Sequence, residues 1–250
     1  NKKVITLFLG SEIRDYNMFL RDYNLSQWSF PKSYFYPPAE KKKEKVKIHE
    51  EFSDLIFSVP DQSQLLTKPY YHTQIPINID QYNFNISNRN IPLIIHSPSR
   101  AYVKGTNLIE STINQLKEEG LEFDYRQYSG VPHNEIINLL TEADVLIDQI
   151  ITHGPGVLGM EAMASGCVVA TKYLENSPQC FRPPVWNINA DNIYTQLKEL
   201  ITNKQLRIYL ADKGREYVLN NNSSTVVVKD ILDKLNTNAT NFDYYPSKEC

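Results

Sequence analysis

Residues 143–169 read ADVLIDQIITHGPGVLGMEAMASGCVV. The stretch begins and ends in apolar runs and carries glycines between them. Residues 144–147 have the continuous apolar character of a strand buried on both faces. A glycine-bearing loop follows, then a short helix over 158–164 that stops at Gly166, then a second strand over 167–170. Strand, loop, helix and strand in so short a span form the unit from which parallel sheets are assembled.

The same alternation extends outward in both directions. Upstream, the pattern predicts a strand at 92–96, a helix over 106–119 ending at Gly120, a strand at 122–128, and a helix over 133–143 with Ile136, Ile137, Leu139 and Leu140 on its apolar side. Downstream, helical periodicity covers 190–202, 204–219 and 225–235. Short apolar strands alternating with helices imply an α/β fold, a Rossmann-like parallel sheet with helices on both faces. Such sheets bind ligands beyond the carboxyl ends of their strands, which directs attention to the loops after His96, Tyr128, Ile147 and Ala170.

Residues 1–80 are less regular. They offer strands at 4–9 and 54–59, where a full unit of this kind needs several more, so they are expected to form an incomplete N-terminal domain that lacks its beginning. The Asn-rich residues 81–90 are expected to be a linker and 91–250 a C-terminal domain. Residues 39–51 are lysine-rich and read as a solvated helix face. Within them Lys41–Lys47 suits anionic lipid headgroups, although Glu40 and Glu44 dilute its charge.

Bulk properties narrow the function classes. The 250 residues are 41% hydrophobic and 22% charged, as in ordinary globular proteins. The 26 Lys and Arg against 29 Asp and Glu give a net charge of −3, with no global basic excess to attract nucleic acid. Cys167, Cys180 and Cys250 are scattered, which argues against a structural zinc site or a disulfide scaffold and suits a reducing cytoplasm. No stretch approaches the ~18 apolar residues of a membrane span.

Two segments carry chemistry. In His96-Ser-Pro-Ser-Arg100-Ala-Tyr-Val-Lys104-Gly105-Thr106 a strand ends, two cations follow, and a helix opens. A helix start favours phosphate, and Arg100 with Lys104 suits a diphosphate, although two cations in a loop also occur as plain surface charge. The spacing differs from the G-x-x-x-x-G-K-[ST] phosphate loop. In the second segment Gly154, Gly156 and Gly159 spell G-x-G-x-x-G, with Glu175 where an NAD ribose acid might be sought. The dinucleotide fingerprint, however, belongs at a first strand–helix turn, where the strand runs straight into the glycines, and here it lies late and well beyond the strand. Glu161, near the helix start, can accept bonds from two vicinal ribose hydroxyls or merely complement the helix dipole.

Taken together, Arg100…Lys104-Gly105-Thr106 and Ala143-Asp144-Val145-Leu146-Ile147-Asp148-Gln149…Gly156…Glu161-Ala-Met-Ala-Ser-Gly-Cys-Val-Val169 resemble, in order and separation, the donor domain of GT-B glycosyltransferases of the family 4 type. The resemblance covers residues 91–236. More weakly, Gly10-Ser11-Glu12-Ile13-Arg14 resembles the "HGSDIR" loop of that family's acceptor domain, and Ser58-Val-Pro-Asp61 and residues 75–80 resemble that domain's exit.

The resemblance implies a C-terminal half of a GT-B fold and a hexosyl transfer, retaining in stereochemistry, from a UDP- or GDP-sugar to a glycan or glycolipid acceptor. It implies that Arg100 and Lys104 hold the donor diphosphate and are the catalytic residues, with no metal or other cofactor. Gly105, Val131 beside the base, Gly156 and Val157 through backbone N–H groups, and Glu161 on the ribose complete the donor site, while Gly10 and Ser11 border the acceptor. A cytoplasmic location with peripheral contact at the inner membrane face, in polysaccharide biosynthesis, follows from the same resemblance. Two departures keep a second reading open, a nucleotide-sugar-binding module without turnover: His153 stands where many members have Glu, and Leu9 replaces the histidine of "HGSDIR". His96 and His133 are further catalytic candidates, but isolated histidines commonly serve as core or helix-cap residues.

Overall fold

A computed structural model of the chain describes residues 2–10, 12–22, 37–60, 65–152, 154–173, 181–237 and 240–245. The chain divides into two units, residues 1–75 with 227–250, and residues 76–226.

Unit 1 holds strands β1 (Ile5–Phe8), β2 (Leu55–Ser58) and β3 (Tyr71–His72), paired in parallel in the order β1-β2-β3. Helices α1 (Tyr16–Asp22) and α2 (Ala39–Phe52) lie between β1 and β2 in the chain. The lysine-rich run forms α2, and most of its lysines are exposed as expected. Lys42, Val46 and Glu50 are nevertheless buried. Their spacing of four residues places them on one helical stripe, with Val46 joining Phe8, Ile13, Ile56, Leu65, Leu66 and Tyr70 in the core. The end of the chain returns to this unit. The backbones of Tyr70 and Tyr244 exchange both hydrogen bonds at 3.2 Å, their rings stack at 4.7 Å, and the His72 N–H donates to Asp243 at 2.9 Å.

Unit 2 is a five-stranded parallel sheet of order β5-β4-β6-β7-β8: β4 (Leu93–His96), β5 (Asp124–Gln127), β6 (Val145–Ile147), β7 (Val168–Thr171) and β8 (Trp186–Asn187). Successive side chains of a strand face opposite sides. Leu93, Ile95, Leu146 and Val169 therefore enter one core cluster, while Ile94, Val145, Ile147, Val168 and Ala170 enter another. Helices α5 (His133–Glu142) and α6 (Val157–Ser165) cover the first face; α4 (Thr106–Glu118) and α7 (Ile193–Thr202) cover the second. Helix α8 (Lys204–Asn221) contributes to both clusters, and α9 (Ser224–Thr237) follows it. The expected α/β class, with helices on both faces of a parallel sheet, is the architecture observed.

The boundaries differ from those expected. Residues 81–90 belong to unit 2: Tyr82 is buried in its core, and the Asn85 N–H donates to the Ser165 carbonyl at 3.0 Å. Gly166 makes that approach feasible, because it has φ +89° and a Cβ there would stand 2.5 Å from the Asn85 oxygen. Residues 227–250, expected in the C-terminal domain, group with unit 1 through the Tyr70–Tyr244 pairing. Two-residue β3 and β8 were not anticipated, since so short a strand carries no alternation to read.

Candidate functional site

Strand β4 lies between β5 and β6, so the chain leaves β4 toward one side and returns on the other. At such a reversal the loops after two neighbouring parallel strands diverge and leave a crevice at their carboxyl ends. Here those loops are residues 97–105, after β4, and residues 148–156, after β6.

The first loop contains a short helix, α3 (Ala101–Lys104), with Arg100 at its N-cap and Gly105 closing it at φ +78°. The Gly105 N–H donates to the Ala101 carbonyl at 3.0 Å, and a Cβ on Gly105 would lie 2.3 Å from Ile150 Cγ1. Glycine is needed there for the left-handed turn and the close packing, and its N–H is not available to a donor phosphate. Arg100 is exposed. The Lys104 side chain is only 12% exposed, and its ammonium is ion-paired with the fully buried Asp148 carboxylate. Asp148 also accepts the Gly156 N–H through Oδ2 at 3.1 Å, and Ile150 N–H donates to the Lys104 carbonyl at 3.2 Å. Asp148 thus ties both loops together.

This arrangement changes the expected role of Gly156. Its N–H is already taken by Asp148, so of the two backbone groups expected to face the donor only Val157, in the first turn of α6, lacks a partner within the helix. A Cβ on Gly156 would meet nothing within 4 Å, so the glycine leaves open space at the helix start.

Glu161 lies on the next turn of α6 and is 3% exposed. Its Oε1 accepts from the Tyr82 hydroxyl at 2.9 Å and from His133 Nε2 at 2.8 Å. As a carboxylate Glu161 only accepts, so His133 presents an Nε2–H to it. Burial, and then the bond to Glu161, push the Tyr82 phenol well above its ordinary range and keep it a donor. Oε2 accepts from no group among the described residues and keeps its acceptor capacity. Val131 is half-buried against the core just before Pro132, the N-cap of α5, with Ser129 and Gly130 exposed beside it.

Unit 2 therefore carries Arg100, Lys104, Gly105, Val131, Gly156, Val157 and Glu161 on loops and helix starts that follow β4, β5 and β6. Gly10 belongs to unit 1, where its N–H donates to Glu12 Oε1 at 3.0 Å. Ser11, Asp61, His153, Glu175, Cys180 and Cys250 lie outside the described residues. The sequence reading missed Tyr82, which it placed in a linker, and the part played by Asp148. An acidic residue directly after a strand of the motif block was the only local signal for the latter. Among the described residues no three His, Cys, Asp or Glu side chains gather as a metal-ligand set, and no helix is long and apolar enough to cross a membrane.

His96 proves to be a core residue. Its Nδ1 donates to the Ile147 carbonyl at 2.7 Å, which leaves Nε2 to accept from the Thr106 hydroxyl at 2.9 Å. Burial lowers its pKa below the ordinary value of 6.5, outweighing the stabilising bond to Ile147. The unfolded chain then binds a proton that the folded chain refuses, so stability falls as pH drops below about 6.5, by up to about 1.4 kcal/mol per pH unit, until the folded-state pKa is reached. Urea unfolding of wild type and His96→Gln between pH 7 and pH 5 measures this. The variant is expected to show the shallower slope, and parallel slopes would refute the assignment.

Parallel sheets with helices on both sides are the fold that the chain shares with the GT-B glycosyltransferases among its structural neighbours. Solved structures similar to the chain include the sucrose-phosphate synthase of Thermosynechococcus elongatus, at 11% identity over 93% of this chain and 68% of that one, with a TM-score of 0.63. S. aureus TarM, solved with UDP among its ligands, is similar at 13% identity over 78% of this chain and 46% of its own, with a TM-score of 0.58. HepE from Anabaena, solved with UDP-glucose, is similar at 12% identity over 94% of this chain and 72% of its own, with a TM-score of 0.57. The chain thus spans only part of each, less than half in the case of TarM. No protein-family description and no curated protein matches it by sequence.

Proposed function

We propose that this chain is the donor-binding part of a glycosyltransferase that moves a hexose from a nucleotide-diphosphate sugar to a glycan or glycolipid acceptor. The observation that carries the reading is the buried Glu161 carboxylate, whose Oε1 is held by Tyr82 and His133 while Oε2 stays available, on the helix that opens at the strand reversal. An anchored, desolvated carboxylate of this kind suits the vicinal hydroxyls of a ribose. The UDP and UDP-glucose bound by TarM and HepE support the same ligand class. In this reading Lys104, with one of its three donors on Asp148, turns the other two with Arg100 to the diphosphate. The two cations neutralise the nucleotide diphosphate as the glycosidic bond breaks, without a metal ion. The Val157 N–H faces a phosphate oxygen, and the backbone of Val131 borders the base. Transfer retains the anomeric configuration, the departing phosphate helping to deprotonate the acceptor, and takes place at the cytoplasmic face of a membrane.

Calorimetric titration with UDP and GDP tests the site. Lys104→Ala and Glu161→Ala each remove a charge-assisted hydrogen bond to the ligand, so each is expected to weaken binding about 10- to 100-fold. Unchanged affinity in both folded variants would refute the proposal. Leu9, 44% exposed where the resembling family carries histidine, favours a second reading, a nucleotide-sugar-binding module without turnover. Donor hydrolysis or transfer by the longest native form excludes that alternative.

A further inference from the structure

An open pocket of about 370 Å³ lies along α8 in unit 2, within the roughly 300–1,000 Å³ range of small-molecule sites. One wall is a stripe of that helix, Tyr209, Lys213, Glu216, Tyr217 and Asn220, set on one side by spacings of three and four residues. Leu210 and Val218, next to these positions, enter the two core clusters and hold the helix in place. The other wall is the segment at 182–184, with Arg182 exposed. That segment precedes β8, whereas the loops of the strand reversal follow the carboxyl ends of β4 and β6. Tyr209 is 59% exposed, and Tyr217 is half-buried against the first core cluster. At about 1.5 Å of rise per residue, the two tyrosines stand roughly 12 Å apart along the helix axis. Between them Lys213 Nζ donates to Glu216 Oε2 at 2.6 Å, so a cation and a carboxylate occupy the middle of the stripe.

We propose that this pocket binds a short oligosaccharide. A sugar ring offers C–H groups on its faces and, around its rim, hydroxyls that both donate and accept. The tyrosines supply ring surface for the first, and Lys213, Glu216, Asn220 and Arg182 supply donors and acceptors for the second. The Glu216 carboxylate within the stripe opposes a phosphate or another compact anion. No Leu, Ile, Val, Met or Phe lines the pocket among the described residues, so an apolar peptide finds no seat there. The separation of the two tyrosines suits several linked sugars better than one. The site shares no residue with the nucleotide crevice and stands or falls without it.

The test is an NMR titration of the ¹⁵N-labelled full chain with maltotriose, chitotriose and trigalacturonic acid in turn. Each is added to about twenty times an expected dissociation constant of about 1 mM. Saturable movement of the amide signals of residues 209–221 with any of the three supports the site, and the one that binds most tightly decides between a neutral, an acetamido and an acidic sugar. Tyr209→Ala is expected to weaken that binding roughly three- to tenfold, and Tyr209→Phe, which keeps the ring, to retain most of it. The position is exposed, so the fold does not depend on it. No saturable movement with any of the three sugars, or an affinity unchanged in Tyr209→Ala, overturns the proposal. An oligothymidylate that moves the same signals at lower concentration than the sugars also overturns it. UDP affinity, measured on the same sample, reports on the strand-reversal crevice. Sugar binding without UDP binding strikes the proposed function alone, and UDP binding without sugar binding strikes this site alone.

Discussion

Asp148→Ala is expected to cost unit 2 about 3–5 kcal/mol of stability, the penalty typical of removing one partner from a buried ion pair. The carboxylate is fully buried and serves two groups at once, the Lys104 ammonium and the Gly156 N–H. Alanine leaves the ammonium, only 12% exposed, without its counter-charge. It also leaves the Gly156 N–H without its acceptor. The chain holds two units, so the readout is hydrogen exchange of the buried β6 amides, which is expected to accelerate roughly a hundredfold or more. Removing both charges in Lys104→Met/Asp148→Leu is expected to restore most of the protection, because an apolar pair has no desolvated charge to satisfy. A single variant that loses less than about 1 kcal/mol would show that Lys104 reaches water unaided.

Arg207→Met is expected to destabilise the same unit by about 3 kcal/mol or more. Arg207 is 3% exposed, and its guanidinium donates to four carbonyls, those of Leu200 and Ile201 at 2.6 and 2.9 Å and those of Arg89 and Asn90 at 2.9 and 3.4 Å. The first two are among the last-turn carbonyls of α7, which have no partner inside the helix. The others belong to the segment that leads into β4. Methionine keeps the volume of the stem but leaves those acceptors without a donor, so the loss measures hydrogen bonding rather than a cavity. Burial lowers the guanidinium's own proton affinity, which Asp144 partly restores, yet an arginine stays charged under any folding condition. Faster exchange of the α7 amides is the expected signature. Protection equal to wild type would mean that water replaces the side chain.

Unit 2 was legible in the sequence because each of its central strands is a continuous apolar run and each helix has its own periodicity. Both are short-range signals, and both survived into the structure within a few residues. Gly120 and Gly166 were also legible as helix ends, since a left-handed backbone is a local requirement. In residues 1–80 two features were not legible. The third strand of unit 1 is two residues long, and the segment paired with Tyr70 comes from the far end of the chain, so neither leaves a local trace.

Within the site the division is similar. The residue types in the Arg100–Lys104 loop and around Glu161 marked the two loops of the strand reversal. Which atoms remain available for a ligand could not be read from them. Asp148 takes the Gly156 N–H and one donor of Lys104, Ala101 takes the Gly105 N–H, and Tyr82 with His133 holds one oxygen of Glu161. By itself the sequence determined the alternation of strand and helix, the sheet's parallel sense and the order of the charged residues along the loops, because each depends on neighbours a few residues apart. Only the tertiary structure decided which partner each polar group has. Tyr82 and Glu161 stand 79 positions apart and Lys104 and Asp148 stand 44 apart, and such pairs exist only once the sheet has brought their loops to one edge.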